Sequence, residues 1–264
     1  MKINNSKVVY YEDELNDEFS TAKIVPRVID GNFNYQKSSI WEIISFLIQN
    51  VFSVPIKFLY LKIKFHHQFI GREKLKDYQK KYPHQGVFLY ANHTQPIADT
   101  MVPSMAVKPK RNFFIVNPEN ISMKGLRHLV ELLGAIPVPG DIKSSKNFLN
   151  RIQDRVSKGY SISIYPEAHI WPYATWIRNY KSVSFRYPVK FDAPVFTITN
   201  TYQKYHNKVR MVSYIDGPFY GKENLTLKEA EIDLRNQCFE VMRNRANHSN
   251  VEIIRYLPKD KNEN

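Results

Sequence analysis

The pattern of apolar and polar positions divides the chain into one long apolar stretch near its start and an alternation of strand and helix patterns behind it. From Ile40 to Ile56 the residues are mostly apolar, interrupted by Glu42, Ser45, Gln49, Asn50, Ser53 and Pro55. Lys57, Lys62 and Lys64 follow among Phe58, Leu59, Tyr60, Leu61, Ile63 and Phe65. A helix that crosses a bilayer needs about 20 predominantly apolar residues. The uncharged run between Glu42 and Lys57 is shorter, contains polar side chains and meets a proline. Apolar bulk followed by lysines among aromatics suits a helical pair lying in one leaflet, its lysines at anionic headgroups. A helix buried in a soluble core is the alternative reading.

From residue 66 onward, periods of two and of 3.6 succeed one another. His67–Gly71 reads as a short strand, Arg72–Lys81 as a charged helix or turn, and Gly86–Asn92 as a strand buried on both faces, apolar without alternation. A helix is predicted to start near Pro96, because proline is tolerated at the first helical position. Asn112–Val116 is the next strand. Leu126, Leu129, Val130 and Leu133 fall at helical spacing and Gly134 is placed to end that helix. Ala135–Val138 reads as a short strand. Ser144 or Ser145 is the expected cap of a helix carrying Phe148, Leu149, Ile152 and Val156. Ser161–Tyr165, Pro194–Thr199 and Val209–Ile215 read as strands. Thr226 to Glu229 has the form of a capping box, opening a helix with Ala230, Leu234, Cys238, Val241 and Met242 on one face. The expected fold is therefore α/β: a mostly parallel central sheet flanked by helices, preceded by an apolar membrane-associating helical segment. The expected divisions are an N-terminal extension (1–39), loosely packed and with little regular structure; a membrane-interfacial segment (40–65); a catalytic domain (66–250); and a tail (251–264).

Composition narrows the class of partner. The 264 residues carry a formal net charge of +13 and a pI of about 9.6, which suits a polyanionic surface or a phosphate-bearing substrate. No arginine-rich arm, zinc-ligand spacing or RNA-binding aromatic signature is present, so nucleic acid is not the expected partner. Met1–Asp30 has no apolar core of a signal peptide. The one cysteine, Cys238, reads as a small core residue and fits a reducing, cytosolic compartment.

In parallel sheets the ligand site lies at the carboxyl ends of the strands. Two strands here end in reactive side chains: Asn92-His93, with Asp99 beyond, and Tyr165-Pro166-Glu167. With Gly134-Ala135-Ile136-Pro137-Val138 and Ala193-Pro194-Val195, they make four blocks in order. The set resembles the glycerolipid O-acyltransferase family typified by 1-acylglycerol-3-phosphate acyltransferases, over roughly residues 65–246. The resemblance implies that His93 is a general base taking the proton from an acceptor hydroxyl, that Asp99 orients it, and that no covalent acyl-enzyme forms. It implies an acceptor site formed by Asn92, Tyr165, Pro166, Glu167, Ala168, His169 and a basic side chain such as Lys181. It further implies an acyl-ACP or acyl-CoA donor, a lysophospholipid-type acceptor, no cofactor and no metal, and a peripheral or monotopic place on the cytoplasmic face of the cell membrane, against anionic lipids.

The chain departs from the family pattern at three points. Five residues rather than four separate His93 from Asp99, so the two meet only if a loop absorbs the extra one. Ala168-His169-Ile170 stands where the family has Gly-Thr-Arg. Pro139-Gly140-Asp141 follows Val138 where the family has an arginine. Both family arginines, natural phosphate binders, are thus missing, and Lys143, Lys146, Arg178 and Lys181 are the candidate substitutes. The run Trp171–Trp176 reads either as an acyl channel or as a packed loop. Two other functions remain open on sequence: a metal-dependent hydrolase using His93, Asp99, Glu167 and His169, and an inactive lipid-binding protein on the same fold.

Overall fold

A computed structural model describes residues 7–19 and 24–259. The rest of the expected extension and tail, residues 1–6, 20–23 and 260–264, lies outside the described residues. In chain order the elements are β1 (Lys7–Tyr11), α1 (Ser39–Leu47), a π-helical turn (Ile48–Phe52), α2 (Ser53–Phe65), β2 (Gln68–Ile70), α3 (Arg72–Lys81), β3 (Val87–Ala91), α4 (Ala98–Ala106) and β4 (Asn112–Val116). There follow α5 (Arg127–Leu132), β5 (Ala135–Pro137), α6 (Ile142–Ser157), β6 (Ser161–Ile164), α7 (Arg186–Lys190), β7 (Val195–Tyr205), β8 (Lys208–Phe219), α8 (Leu227–Ala246) and β9 (Ile254–Pro258).

Seven strands form one sheet in the order β2-β8-β7-β3-β6-β4-β5. Every neighbouring pair is parallel except β7 with β8, so the expected mostly parallel sheet is the one observed. β3 sits at its centre, and all five of its residues are buried. Alternate side chains serve two cores. Val87, Leu89 and Ala91 pack with α2, α3 and α4, whereas Phe88 and Tyr90 pack with α6 and α8. Burial on both faces is why this strand reads as an unbroken apolar run. The helix after β3 begins at Ala98, two residues later than expected, leaving 92–97 as a loop. α6 is capped by Asp141, not by a serine: Asp141 accepts from the Ser144 N–H and the Ser144 hydroxyl answers the Asp141 backbone. Thr226 and Glu229 form the expected capping box of α8.

The apolar segment is a single helix from Ser39 to Phe65, about 40 Å long at 1.5 Å per residue. Pro55 does not break it. The ladder widens at the π-helical turn just before the proline, where Ser53 N–H bonds to the Ile48 carbonyl, and a residue with no N–H to give is accommodated there. The helix is long and apolar enough to cross a membrane by length and composition. It is not a core helix, since Ile40, Ile43, Phe52, Ile56 and Ile63 are all exposed. Its amphipathic sense is inverted. The side turned to the domain is mainly polar over its first half: Ser45 and Gln49 bond to the Leu132 carbonyl, and Glu42 sits among Arg111, Arg151 and Arg155. Buried Lys57, Leu61 and Phe65 continue the stripe, so the domain holds the helix along its length.

The N-terminal extension is better packed than expected. Ile29, Phe33 and Tyr35 enter the main core, and the Tyr35 hydroxyl donates to the Pro137 carbonyl at 3.0 Å. β1 pairs in parallel with β9, from Lys7 opposite Ile254 to Tyr11 opposite Pro258. Tyr10 and Tyr11, in a segment without local periodicity, find this partner only in the far end of the chain.

Two outcomes follow from the helix seat. Glu42→Gln removes the carboxylate that three arginines share, and because Glu42 is only partly enclosed the expected cost is about 2 kcal/mol, read as a fall of roughly 5 °C in thermal unfolding in detergent. Lys57 has its pKa pulled from 10.5 down to about 8 by burial and by Lys108. The unfolded chain therefore binds more protons between those values, and stability should rise from about pH 8 towards 10.5 and fall as pH drops through 8. In Lys57→Met that slope should flatten.

Candidate active site

The geometry of the sheet brings the two reactive strand ends together. Tyr90 and Ile164 are cross-strand partners in β3 and β6. His93 and Glu167 each lie three residues beyond that pair. Glu167 Oε2 accepts the His93 backbone N–H at 2.9 Å, and Oε1 accepts the Arg178 N–H at 3.0 Å. The Arg178 guanidinium reaches Glu167 Oε2 at 3.3 Å and also bonds the His169 carbonyl. Burial pushes the Glu167 carboxyl up, opposed by Arg178 and the two backbone donors. Both oxygens are thus turned inward, and Glu167 fixes the backbone of the histidine from behind.

Because α4 begins late, the loop absorbs the longer spacer. Asp99, in the first turn of α4, meets His93 Nδ1 with Oδ2 at 2.8 Å. The same oxygen accepts the N–H groups of Thr94 at 2.9 Å and Gln95 at 2.8 Å. Burial raises the pKa of the Asp99 carboxyl, and the bonds from His93, Gln95 and Thr94 act against it. An ionised carboxylate only accepts. Nδ1 therefore carries the proton and Nε2 keeps its lone pair, the tautomer a general base requires. The Tyr165 ring stacks on His93 at 4.4 Å between centroids, and its hydroxyl bonds the Asp99 carbonyl.

His93 and Asp99 stand at a half-open cleft of about 360 Å³. Its walls are largely apolar: Phe114, Ile115, Val116, Val138, Ile164, Ile170, Val183 and Tyr187. Tyr165, Pro166, Ala168 and Lys181 also line it; Asn92, Glu167 and His169 do not. Asn92 is buried in a reciprocal pair with the Asn200 backbone. His169 turns towards Glu18, with Nδ1 3.8 Å from the carboxylate. Of the four candidate phosphate binders, Lys181 alone lines the cleft. Arg178 is sealed against Glu167, with the face of Trp171 4.8 Å from its guanidinium carbon.

The aromatic run is a packed loop. Trp171 is fully buried, its ring against Tyr11, Phe19, Trp176 and Tyr256. The Trp171 backbone N–H donates to the His93 carbonyl, and the Tyr173 backbone N–H to that of Thr94, each at 3.0 Å, while the Trp171 indole N–H donates to the Asp17 carbonyl. The alternative metal set is not assembled. Glu167 faces Arg178, His169 faces Glu18, and among the described residues no group of three or more His, Cys, Asp or Glu side chains is placed to hold a metal ion. Sequence reasoning missed Tyr202 and Asn200. The Tyr202 hydroxyl donates to Thr94 Oγ1 and accepts from Gln95 Nε2, both at 2.8 Å, while Asn200 Nδ2 faces Asp99 Oδ1 at 3.4 Å. No local signal singles them out, because Thr197, Thr199 and Thr201 are buried polar side chains of the same strand.

A model of the acyltransferase family matches residues 66–201. No curated protein is similar enough in sequence to stand as a relative. Among solved structures, the 1-acyl-sn-glycerophosphate (LPA) acyltransferase PlsC from Thermotoga maritima is similar with a TM-score of 0.48 and 14% sequence identity, over 78% of this chain and 95% of that one.

Ala168, at the position of the glycine in the family pattern, has φ +63°. A left-handed backbone costs an L-residue about 1 kcal/mol or more, and β-branched residues most. Ala168→Gly should leave the unfolding temperature equal or higher, whereas Ala168→Val should lower stability by about 1–2 kcal/mol. Thermal unfolding of the two variants side by side measures this.

Proposed function

The chain belongs to the acyltransferase family, and on that premise we propose that it is a membrane-associated O-acyltransferase carrying a fatty acyl group from the thioester of acyl-carrier protein or coenzyme A to the free hydroxyl of a lysophospholipid-type acceptor. The observation that carries the reading is the His93–Asp99 pair, at 2.8 Å, opening onto an apolar cleft. The acceptor oxygen attacks the thioester carbonyl while His93 Nε2 takes its proton. The C–S bond then breaks, and the imidazolium returns the proton to the departing sulfur. Asp99 stabilises the transient imidazolium. No covalent enzyme intermediate is required.

The apolar walls suit an acyl chain, and Lys181 at the rim suits one phosphate of a 1-acylglycerol-3-phosphate or a related lysolipid. A net charge of +13 favours approach to an acidic carrier protein and to anionic lipid. The Ser39–Phe65 helix is fastened to the domain along one side, so the opposite, apolar side is the one free to enter lipid. That favours a monotopic seat in one leaflet, on the cytoplasmic face where the thioester donors are made.

The test is transfer from a labelled acyl thioester to a panel of lysolipids in vesicles. His93→Ala should lower kcat by about 10³-fold with normal unfolding. Lys181→Ala should raise KM for a phosphorylated acceptor roughly tenfold with little change in kcat. Full turnover by His93→Ala removes the histidine from the mechanism; lysolipid binding without turnover on any acceptor makes the chain a binding protein.

A further inference from the structure

Behind the Asp99 carboxylate lies a line of buried polar groups that the proposed reaction does not use. Asp99 Oδ1 faces Asn200 Nδ2 at 3.4 Å, Asn200 Oδ1 accepts from Ser213 Oγ at 2.6 Å, and Ser213 Oγ meets His67 Nε2 at 2.8 Å. Asn200 and Ser213 are cross-strand partners in β7 and β8, and Ser213 pairs with Phe69 of β2, just past His67. The line therefore crosses the sheet from its edge to its centre. Its outer end, His67, follows directly on His66, the left-handed residue that closes the apolar helix.

The carboxylate sets the direction of every bond in the line. It can only accept, so Asn200 turns its amide NH2 towards it. That leaves Asn200 Oδ1 for Ser213, whose single hydroxyl proton is thereby committed. The Ser213 oxygen must then accept, and His67 carries its ring proton on Nε2. Burial, with Arg72 and Lys62 adding to it, brings the His67 pKa down to about 3, so the ring stays neutral in this tautomer at physiological pH. The Asn200 backbone is held separately, by the two bonds it exchanges with the Asn92 side chain at 2.8 and 3.0 Å.

We propose that Asn200 is a positioning residue for the His93–Asp99 pair, and that Ser213 and His67 hold its amide in the orientation the carboxylate needs. Asn200 Nδ2 is the donor at Oδ1, with Ser213 and His67 aligned in series behind it, while Oδ2 takes His93 and the two loop N–H groups. Aligned bonds in a low-dielectric interior reinforce one another. The 3.4 Å contact is the longest in the line, so the loss of backing from Ser213 is felt there first. The inference rests on the reading of His93 and Asp99 as the catalytic pair.

The test compares wild type with His93→Ala, Asn200→Ala, Ser213→Ala, His67→Ala and the Ser213→Ala/His67→Ala double variant, using a labelled acyl thioester and a lysolipid accepted by the wild type, with thermal unfolding of each. Asn200→Ala should lower kcat about thirtyfold with both KM values within about twofold, and should move the downfield proton resonance of the His93 Nδ1–H. Ser213→Ala should lower kcat about tenfold and His67→Ala about fivefold, with the double variant no worse than Ser213→Ala because His67 acts through the serine. If Asn200→Ala does not fold, the serine and histidine variants carry the test. Multiplicative losses of about fiftyfold in the double variant overturn the relay, as does unchanged kcat in Asn200→Ala or in both the serine and histidine single variants while His93→Ala is inactive. Retained turnover in His93→Ala overturns the reading of the site, and this inference with it.

Discussion

A carboxylate taken out of water needs partners, and the burial of Asp99 organises what surrounds it. The side chain is almost wholly enclosed, yet four donors point at it: the His93 ring, two successive loop N–H groups and the Asn200 amide. Unpaired, such a charge would cost several kcal/mol. The donors come from three parts of the chain, so the carboxylate is stable only when β3, its following loop and β7 are all in place. The histidine thereby acquires a fixed tautomer and a fixed direction, conditions it could not meet on a free surface loop.

Glu167 answers the same problem on the other side. It too is buried and carries its own cation, Arg178, with backbone donors completing the shell. The two carboxylates divide the work spatially: one grips the histidine ring, the other its main chain. An exposed carboxylate at either position would leave the ring free to swing.

Much of this was legible in the residue pattern. Strand and helix alternation identified the parallel sheet, and the two polar strand ends located the cleft, because a period of two or of 3.6 reports directly which face of an element is buried. What the pattern does not carry is the direction of a loop side chain or the identity of a distant partner. Glu167 was expected to face the acceptor and faces inward instead, because Arg178, eleven positions on, folds back over it. Asn200 is 101 positions from Asp99, and nothing local marks it. Pro55 interrupts the apolar pattern but not the helix, since a widened helical turn has no sequence period of its own. The inverted helix was recognisable as apolar, but its inward polar stripe becomes meaningful only once Arg111, Arg151 and Arg155 are seen to meet it.

The small sheet made by β1 and β9 has a consequence for the order in which the molecule is built. It joins positions about 247 residues apart, and it covers the Trp171 loop whose N–H steadies the His93 carbonyl. Contacts between such distant segments form late, after the nearer ones have narrowed the search. A chain leaving the ribosome can complete its central sheet before the strand at Ile254–Pro258 exists, because domains fold while synthesis proceeds. The support that this small sheet gives the loop after His93 then arrives only once β9 has been made, later than the central sheet that carries the histidine.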